Sequence, residues 1–425
     1  MNSSATSLAG AELGEVVHAA GYFRRLLLFI CCATLFEGYD LLIINLVLPS
    51  LGKDFGADSQ TLGFAVGLIN VGTILAFLPV LLADRFGRRP VFLAAVTGYT
   101  LFTVLTVLSV GLYDFVVYQF VARLFMVTEI GVGAIILTEE APARYRGAAV
   151  TLMFALSLLG GVIGSSIFPF LIQTELGWRA LYLAGGALCP ILIFYWRRLA
   201  ETQRWQREYE RQEGHRPPLL ASFRELRAVL APRYRRRLVA GATIWFTVNA
   251  WSSSCLFFFA YYVTNERGWN ASQVGHTLTL GYILAIVGYA TAGPMLDFAG
   301  RRLTACLYFT LGGLAAMTCF LAESVSVITV AYILVLGMHA LWPIAATITS
   351  EMFPTHMRGM ANAAVNNLLG RTGMVLAPST VGVLSTWLGS VGQGVAGVAV
   401  ITFLCLPVIL ALVGENRGKS LEEIG

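Results

Sequence analysis

Long apolar runs recur along the whole chain, each close to the ~20 residues that carry a helix across a hydrocarbon core, with short polar connections between them. They cover approximately 24–50, 60–82, 91–110, 114–138, 148–172, 179–198, 238–263, 273–296, 303–322, 326–349, 361–386 and 392–413. The pattern predicts an all-α membrane protein of twelve transmembrane helices. One polar stretch is much longer than the rest, at 199–237, and it divides the runs six and six. The expected organisation is an N-terminal six-helix half at 1–198, a central loop at 199–237 and a C-terminal six-helix half with a tail at 238–425. The charge spacing within the central loop suggests short amphipathic helices broken at Pro217 and Pro218.

Composition agrees with this pattern. Charged residues make up only 12% of the chain and hydrophobic ones 57%, against about 25% charged in a soluble domain. Most of the 29 Lys and Arg fall in alternate connections, in the central loop and in the two tails, which are therefore expected on the cytoplasmic side. Lys53, Arg179 and Arg267 lie on the opposite side, and Arg123 and Arg371 lie inside spans. The net +5 is thus a topology signal with the bilayer as partner. Basic residues spread over loops on one membrane face do not make a nucleic-acid surface. Residues 1–22 lack the build of a cleavable signal, so the first span is expected to stay as the insertion signal. Cys31, Cys32, Cys189, Cys255, Cys306, Cys319 and Cys405 sit in predicted spans without metal-ligand spacing and read as packing residues.

The two halves repeat each other. "DRFGRR" at 84–89 returns as "DFAGRR" at 297–302, and "EEAPARYRG" at 139–147 returns as "EMFPTHMRG" at 351–359. Two motifs in one order at one spacing of about 213 residues indicate a duplicated six-helix unit. Pseudo-symmetric halves of this kind form transporters whose site lies between them near mid-membrane. The turns carry acids, glycines and arginines: Asp84, Arg85, Gly87, Arg88, Glu139 and Arg146 in the first half, Asp297, Gly300, Arg301, Glu351 and Arg358 in the second. Such groups can reach helix N-termini or guanidinium groups across the half interface and form a cytoplasmic gate, made in one conformation and broken in another.

"LADRFGRR" resembles the signature of the major facilitator superfamily. "EEAPARYRG", "EMFPTHMRG" and the tail "ENRGKSLEEIG" resemble its sugar-porter-like branch, and "EGYD" at 37–40 resembles the first-helix "DGYD" of aromatic-acid/proton symporters and the "GYD" of sugar porters. The resemblance spans essentially the whole chain. It departs at Val80, where a glycine is expected, and at Phe298, where the second copy lacks its basic residue.

Ionisable groups inside a span cost several kcal/mol unless paired or hydrated, and five candidates lie away from the span ends: Glu37, Asp40, Arg123, Glu129 and Arg371. Glu37 and Asp40, three apart, share a helical face. Two neighbouring carboxylates in a low dielectric cannot both ionise cheaply, so the pair can load and release a proton. The resemblance implicates Asp40 in proton coupling with Arg123 as its partner, and likens Glu129 to the intramembrane Glu of metabolite/proton symporters. Arg371, with Asn366 and Asn367 about a turn away and Gly370 and Gly373 expected to leave room around it, suits a carboxylate. The resemblance to organic anion transporters implies the same role.

Three features expected of a sugar site are missing: Phe154 and Ala346 stand where the resemblance expects Gln and Trp, and "WFTVNAWSSSCLFFF" lacks the paired-Gln pattern. Trp245, Asn249, Trp251, Ser253, Tyr261, Tyr262, His339 and Trp342 are the further candidates to line a path, and His339 is a second proton-site candidate. The expectation is a monomeric, alternating-access symporter of a small organic anion, using protons as coupling ion and no other cofactor, in a bacterial-type inner membrane. A proton-coupled sugar or polyol porter and a proton-antiport drug or metabolite exporter are the alternatives within transport, and a non-transporting membrane sensor is the alternative outside it. No metal-binding set or catalytic motif points to an enzyme.

Overall fold

The computed structural model describes residues 2–142, 146–187, 201–211, 227, 229–354 and 357–415, with side chains described from residue 21 on apart from those of 146, 147, 203 and 208. All regular structure among these residues is helical. Nine described helices are long and apolar enough to cross a membrane: α1 (Gly21–Asp54), α2 (Ser59–Phe86), α3 (Arg88–Thr106), α4 (Leu112–Glu140), α5 (Ala148–Leu171), α8 (Ala271–Ala299), α9 (Arg301–Leu321), α10 (Val325–Glu351) and α12 (Val391–Leu412). The predicted sixth span is described over α6 (Trp178–Ala187), and the seventh is α7 (Arg235–Asn265). The eleventh is not one α-helix. It runs from Arg358–Asn362 through a π-helical segment, Ala363–Gly370, into α11 (Thr372–Leu388). In the central loop Gln203–Arg211 is helical, whereas Pro217 and Pro218 lie outside the described residues.

Helix ends are fixed locally. Asp58 caps α2 through the Thr61 N–H at 2.8 Å, and hydrogen bonds from Thr61 hold its carboxyl below the usual aspartate range. Asn270 and Gln273 form a reciprocal capping box at the start of α8.

The halves meet along three seams of small residues, which let backbones approach where hydrophobic burial gives no net drive. Gly63 and Gly67 of α2 lie against Pro378 and Val375 of α11, and Ser59 Oγ hydrogen-bonds Ser385 Oγ at 2.8 Å. Gly275 of α8 lies against Ser165 and Pro169 of α5, with Ser165 Oγ 2.9 Å from Thr279 Oγ1. At the third seam the Ala260 N–H of α7 donates to Asn45 Oδ1 of α1 at 3.1 Å. These polar links lie toward the end of the bundle opposite the repeated turns. Here α1 and α7 finish and α2 and α8 begin.

Candidate functional site

At the motif end, each repeat builds its own network. Gly87 and Gly300 take φ of 102° and 86°, open to glycine and costly for other residues, and turn the chain into α3 and α9. Arg88 Nη2 pairs with Asp84 Oδ1 and Glu139 Oε1, both at 3.0 Å. Arg301 pairs with Glu351 at 2.8 Å and Asp297 at 3.4 Å. All four pairs lie within one half, so the expected bridging across the half interface is corrected: helices of the same half are pinned together. Arg85 lies 5.6 Å from the Phe86 ring and Arg358 Nε donates to Phe353 O at 3.1 Å, and neither pairs with an acid among the described residues. The Arg146 side chain lies outside the described residues.

Two carboxylates missed by sequence reasoning complete the networks. Glu201 Oε1 accepts the backbone N–H groups of Arg88 and Arg89 at 3.0 and 3.2 Å, and Glu415 accepts those of Arg301 and Arg302 at 3.0 and 3.3 Å. Each sits at a helix N-terminus, where unpaired N–H groups and the helix dipole favour an anion. The signal was present: Glu415 follows Glu201 by nearly the interval that separates Arg301 from Arg88. Glu201→Ala is expected to lower stability by about 1 kcal/mol, the cost of a lost cap. It should be visible as a lower thermal midpoint of the purified protein, and an unchanged midpoint would make the contact incidental.

Midway along the helices, buried Glu37, Asp40, Arg123 and Glu129 and half-buried Arg371 lie within electrostatic reach of one another without closing into ion pairs. Glu37 is 4% exposed and accepts from Ser157 Oγ of α5 at 2.7 Å. Asp40 Oδ1, both terminal nitrogens of Arg123 and both oxygens of Glu129 are buried without hydrogen-bond partners. The expected Arg123–Asp40 pair is therefore corrected. The Arg123 guanidinium lies 5.9 Å from the Phe257 ring of α7, across the half boundary, and Asp40 acts on it only through space.

Arg371 stands where the π-helical segment gives way to α11, and its Nε donates to Asn367 Oδ1 at 3.2 Å. A π-segment re-aims a side chain relative to an unbroken α-helix, and such segments are frequent at functional sites. Gly370 and Gly373 do not leave room around Arg371. A Cβ on either would strike α7 at Trp245 or at the Phe246 carbonyl, so they serve close α7–α11 packing. Arg123, Asp40 and Arg371 all act electrostatically on Glu37, and Glu37 acts in turn on Glu129 and on Tyr282 and Tyr289 of α8. Tyr282 crosses from the second half to lie in the space left by Gly161 of α5. Ser157, Tyr282 and Tyr289 join the site without having been foreseen.

Other candidates separate. Asn249 is fully buried and donates to Trp245 O at 2.8 Å, leaving Oδ1 without a partner. Trp342 packs edge-on against Trp245 with centroids 5.4 Å apart. Tyr261 lies at the far end of α7 beside Gly52, away from Arg371, because its position near the helix terminus carries it out of mid-membrane. His339 is corrected as well. It sits in a 3₁₀ turn within α10 with Nδ1 3.1 Å from Val335 O and Nε2 3.0 Å from Ser252 Oγ. Both ring nitrogens are engaged by the protein, so the residue ties α10 to α7 and leaves no nitrogen for a substrate.

Comparison with known proteins settles the lineage. Residues 30–262 and 242–424 match the family model described as Major Facilitator Superfamily. The chain belongs to the major facilitator superfamily. This transporter is 24% identical over 438 residues to the niacin transporter NiaP of Acinetobacter baylyi, covering 95% of this chain and 97% of the relative. It is 24% identical to the gentisate transporter of Corynebacterium glutamicum, covering 89% and 85%. In fold it resembles the crystal structure of a D-xylose-proton symporter, with a TM-score of 0.75, 18% identity and coverage of 94% and 100%. It is an integral, multi-pass membrane transporter and not an enzyme.

Proposed function

We propose that this transporter carries a small organic anion, recognised by its carboxylate, in symport with protons across a bacterial-type inner membrane by alternating access. The observation that carries the reading is Arg371. It lies in mid-membrane, oriented by Asn367, and forms no ion pair within 4.0 Å among the described residues. A permanently charged fork kept in that state suits a substrate carboxylate. The relatives named for niacin and gentisate agree with that chemistry. Glu37 and Asp40 carry protons, with Arg123 and Glu129 setting how readily they do so. With both termini cytoplasmic, the motif-end networks brace each half on the cytoplasmic side as the halves rock.

The test is uptake by purified protein in proteoliposomes while internal pH is recorded. Acidification on adding nicotinate, gentisate or 4-hydroxybenzoate is the expected result. Acidification with hexoses alone, or alkalinisation with cationic drugs, would overturn the reading.

A further inference from the structure

Two buried asparagines, one in each half, carry an acceptor that no described group of the protein uses. Asn70 of α2 and Asn249 of α7 are both 0% exposed. Each amide nitrogen donates to the carbonyl one turn back on its own helix, Asn70 to Val66 O at 2.9 Å and Asn249 to Trp245 O at 2.8 Å. Only the nitrogen can donate to a carbonyl, so in both residues the amide oxygen is the free end, and in both it has no hydrogen-bond partner. A buried acceptor left bare is costly and uncommon in a folded protein.

Packing sets the direction in which the two residues face. α2 and α11 run antiparallel, with Gly63 against Pro378 and Gly67 against Val375. The next position on that face of α2 is Asn70, and the matching step back along the other chain reaches Arg371 at the start of α11. On α7, Trp245 and Ser252 hydrogen-bond residues of α10, whereas Phe246 and Ala250 lie against Gly373 of α11. Ala260 meets Asn45 of α1 in the other half. Asn249 precedes Ala260 by close to three full turns, so it lies on the side of α7 that faces the half boundary. The contacts of Gly370 with Trp245 and of Gly373 with Ala250 put this turn of α7 level with Arg371. Bare amide oxygens thus flank the arginine from both halves. Arg123, whose terminal nitrogens are also unpartnered, serves neither of them, because it packs at Gly72 on the opposite side of α2 from the α11 seam.

We propose that Asn70 and Asn249 read the body of the substrate, selecting a carboxylate whose frame also bears a hydrogen-bond donor such as a hydroxyl. The inference rests on Arg371 being the anion anchor. A small carboxylate held there has the rest of its frame beside α2 and α7, and both amides offer it only an acceptor. A hydroxyl on that frame satisfies an oxygen that is otherwise bare. A plain ring edge leaves the oxygen unsatisfied, and a pyridine nitrogen, itself an acceptor, opposes it. A site built around a buried acceptor rejects an analogue lacking the donor far more strongly than an apolar pocket rejects a missing methylene. Hydroxylated carboxylates therefore rank above benzoate and above nicotinate, which bind through the arginine alone.

The experiment is equilibrium binding of benzoate, nicotinate and the monohydroxybenzoate isomers to the purified full-length protein in nanodiscs. The best-bound hydroxybenzoate should bind the wild type about 10- to 100-fold tighter than benzoate or nicotinate. The double variant Asn70→Leu/Asn249→Leu replaces both amides with apolar groups of similar size. It should hold benzoate within about threefold of wild type and bind no hydroxybenzoate more than about threefold tighter than benzoate. Its thermal midpoint should hold or rise, because no bare acceptor is buried any longer, whereas amides that only brace helices would lower the midpoint and leave the hydroxyl preference in place. A wild type whose preference is below about threefold, or a folded double variant that keeps the preference, overturns the proposal and leaves the anion reading intact. Should the double variant fail to fold, the two single variants decide: a preference reduced in at least one of them upholds the proposal, and one unchanged in both overturns it. A wild type that binds none of these carboxylates removes the anion reading and the proposal with it.

Discussion

Arg371→Lys is expected to weaken carboxylate binding by about 30- to 100-fold, or about 2–2.7 kcal/mol. The guanidinium offers a planar fork of donors, and here its Nε is engaged by Asn367 Oδ1 at 3.2 Å. That hydrogen bond leaves the two terminal nitrogens to meet both oxygens of one carboxylate. Lysine keeps the charge but presents a compact ammonium on a flexible stem, so it loses the second parallel hydrogen bond and the tether to Asn367 together. The substitution separates geometry from charge, which a neutral replacement would not do. Direct binding of nicotinate to the variant, alongside its thermal midpoint, is the measurement. Affinity within about threefold of wild type at an unchanged midpoint would mean that the fork is not used, and Arg371 would then be a charge that positions helices.

The architecture was legible in the chain because a bilayer imposes one length and one hydropathy on every span. That demand recurs whatever the tertiary packing, and the duplicated turns divide the spans into halves. Partnership was less legible, because sequence places a residue on a helix but not the neighbour it faces. Arg88 and Glu139 stand out in the sequence only as two members of a set of turn residues, and it is the packing of α3 on α4 that makes them a pair inside one half. Tyr282 and Tyr289 look like any aromatic residues of a span, and the absent Cβ of Gly161 is what admits Tyr282 across the boundary. The π-helical segment before Arg371 has no mark in residue type. It is a register change beside the close packing of Gly370 and Gly373 on α7. Arg371 itself was legible, since an arginine with no acid on its own helix stands out against apolar neighbours.

Gly38→Ala is expected to remove most transport activity, although the added group is one methyl on a residue adjacent to the site. A Cβ at Gly38 would lie 1.8 Å from the Ser157 carbonyl oxygen, and one at Gly160 would lie 2.0 Å from the Leu35 carbonyl oxygen. Both obstacles are backbone atoms, so no rotamer change relieves them. The axes of α1 and α5 must separate, and overpacking of this kind costs about 1–3 kcal/mol or more. The same movement parts Glu37 from Ser157, because these residues neighbour the crossing point and their hydrogen bond spans it at 2.7 Å. Gly111→Ala is the control, since a Cβ there meets nothing within 4 Å and its φ of −152° suits any residue. Uptake and thermal midpoint measured on both variants decide the matter. A Gly38→Ala protein as stable and active as wild type would show that the two helices do not cross this closely in the membrane. If activity falls while the midpoint holds, the α1–α5 scaffold tolerates the shift and the loss lies in the Glu37–Ser157 contact. If both fall, the crossing is also needed for the half to stay folded, and the carboxylate stands where it does because two glycines let its helix approach.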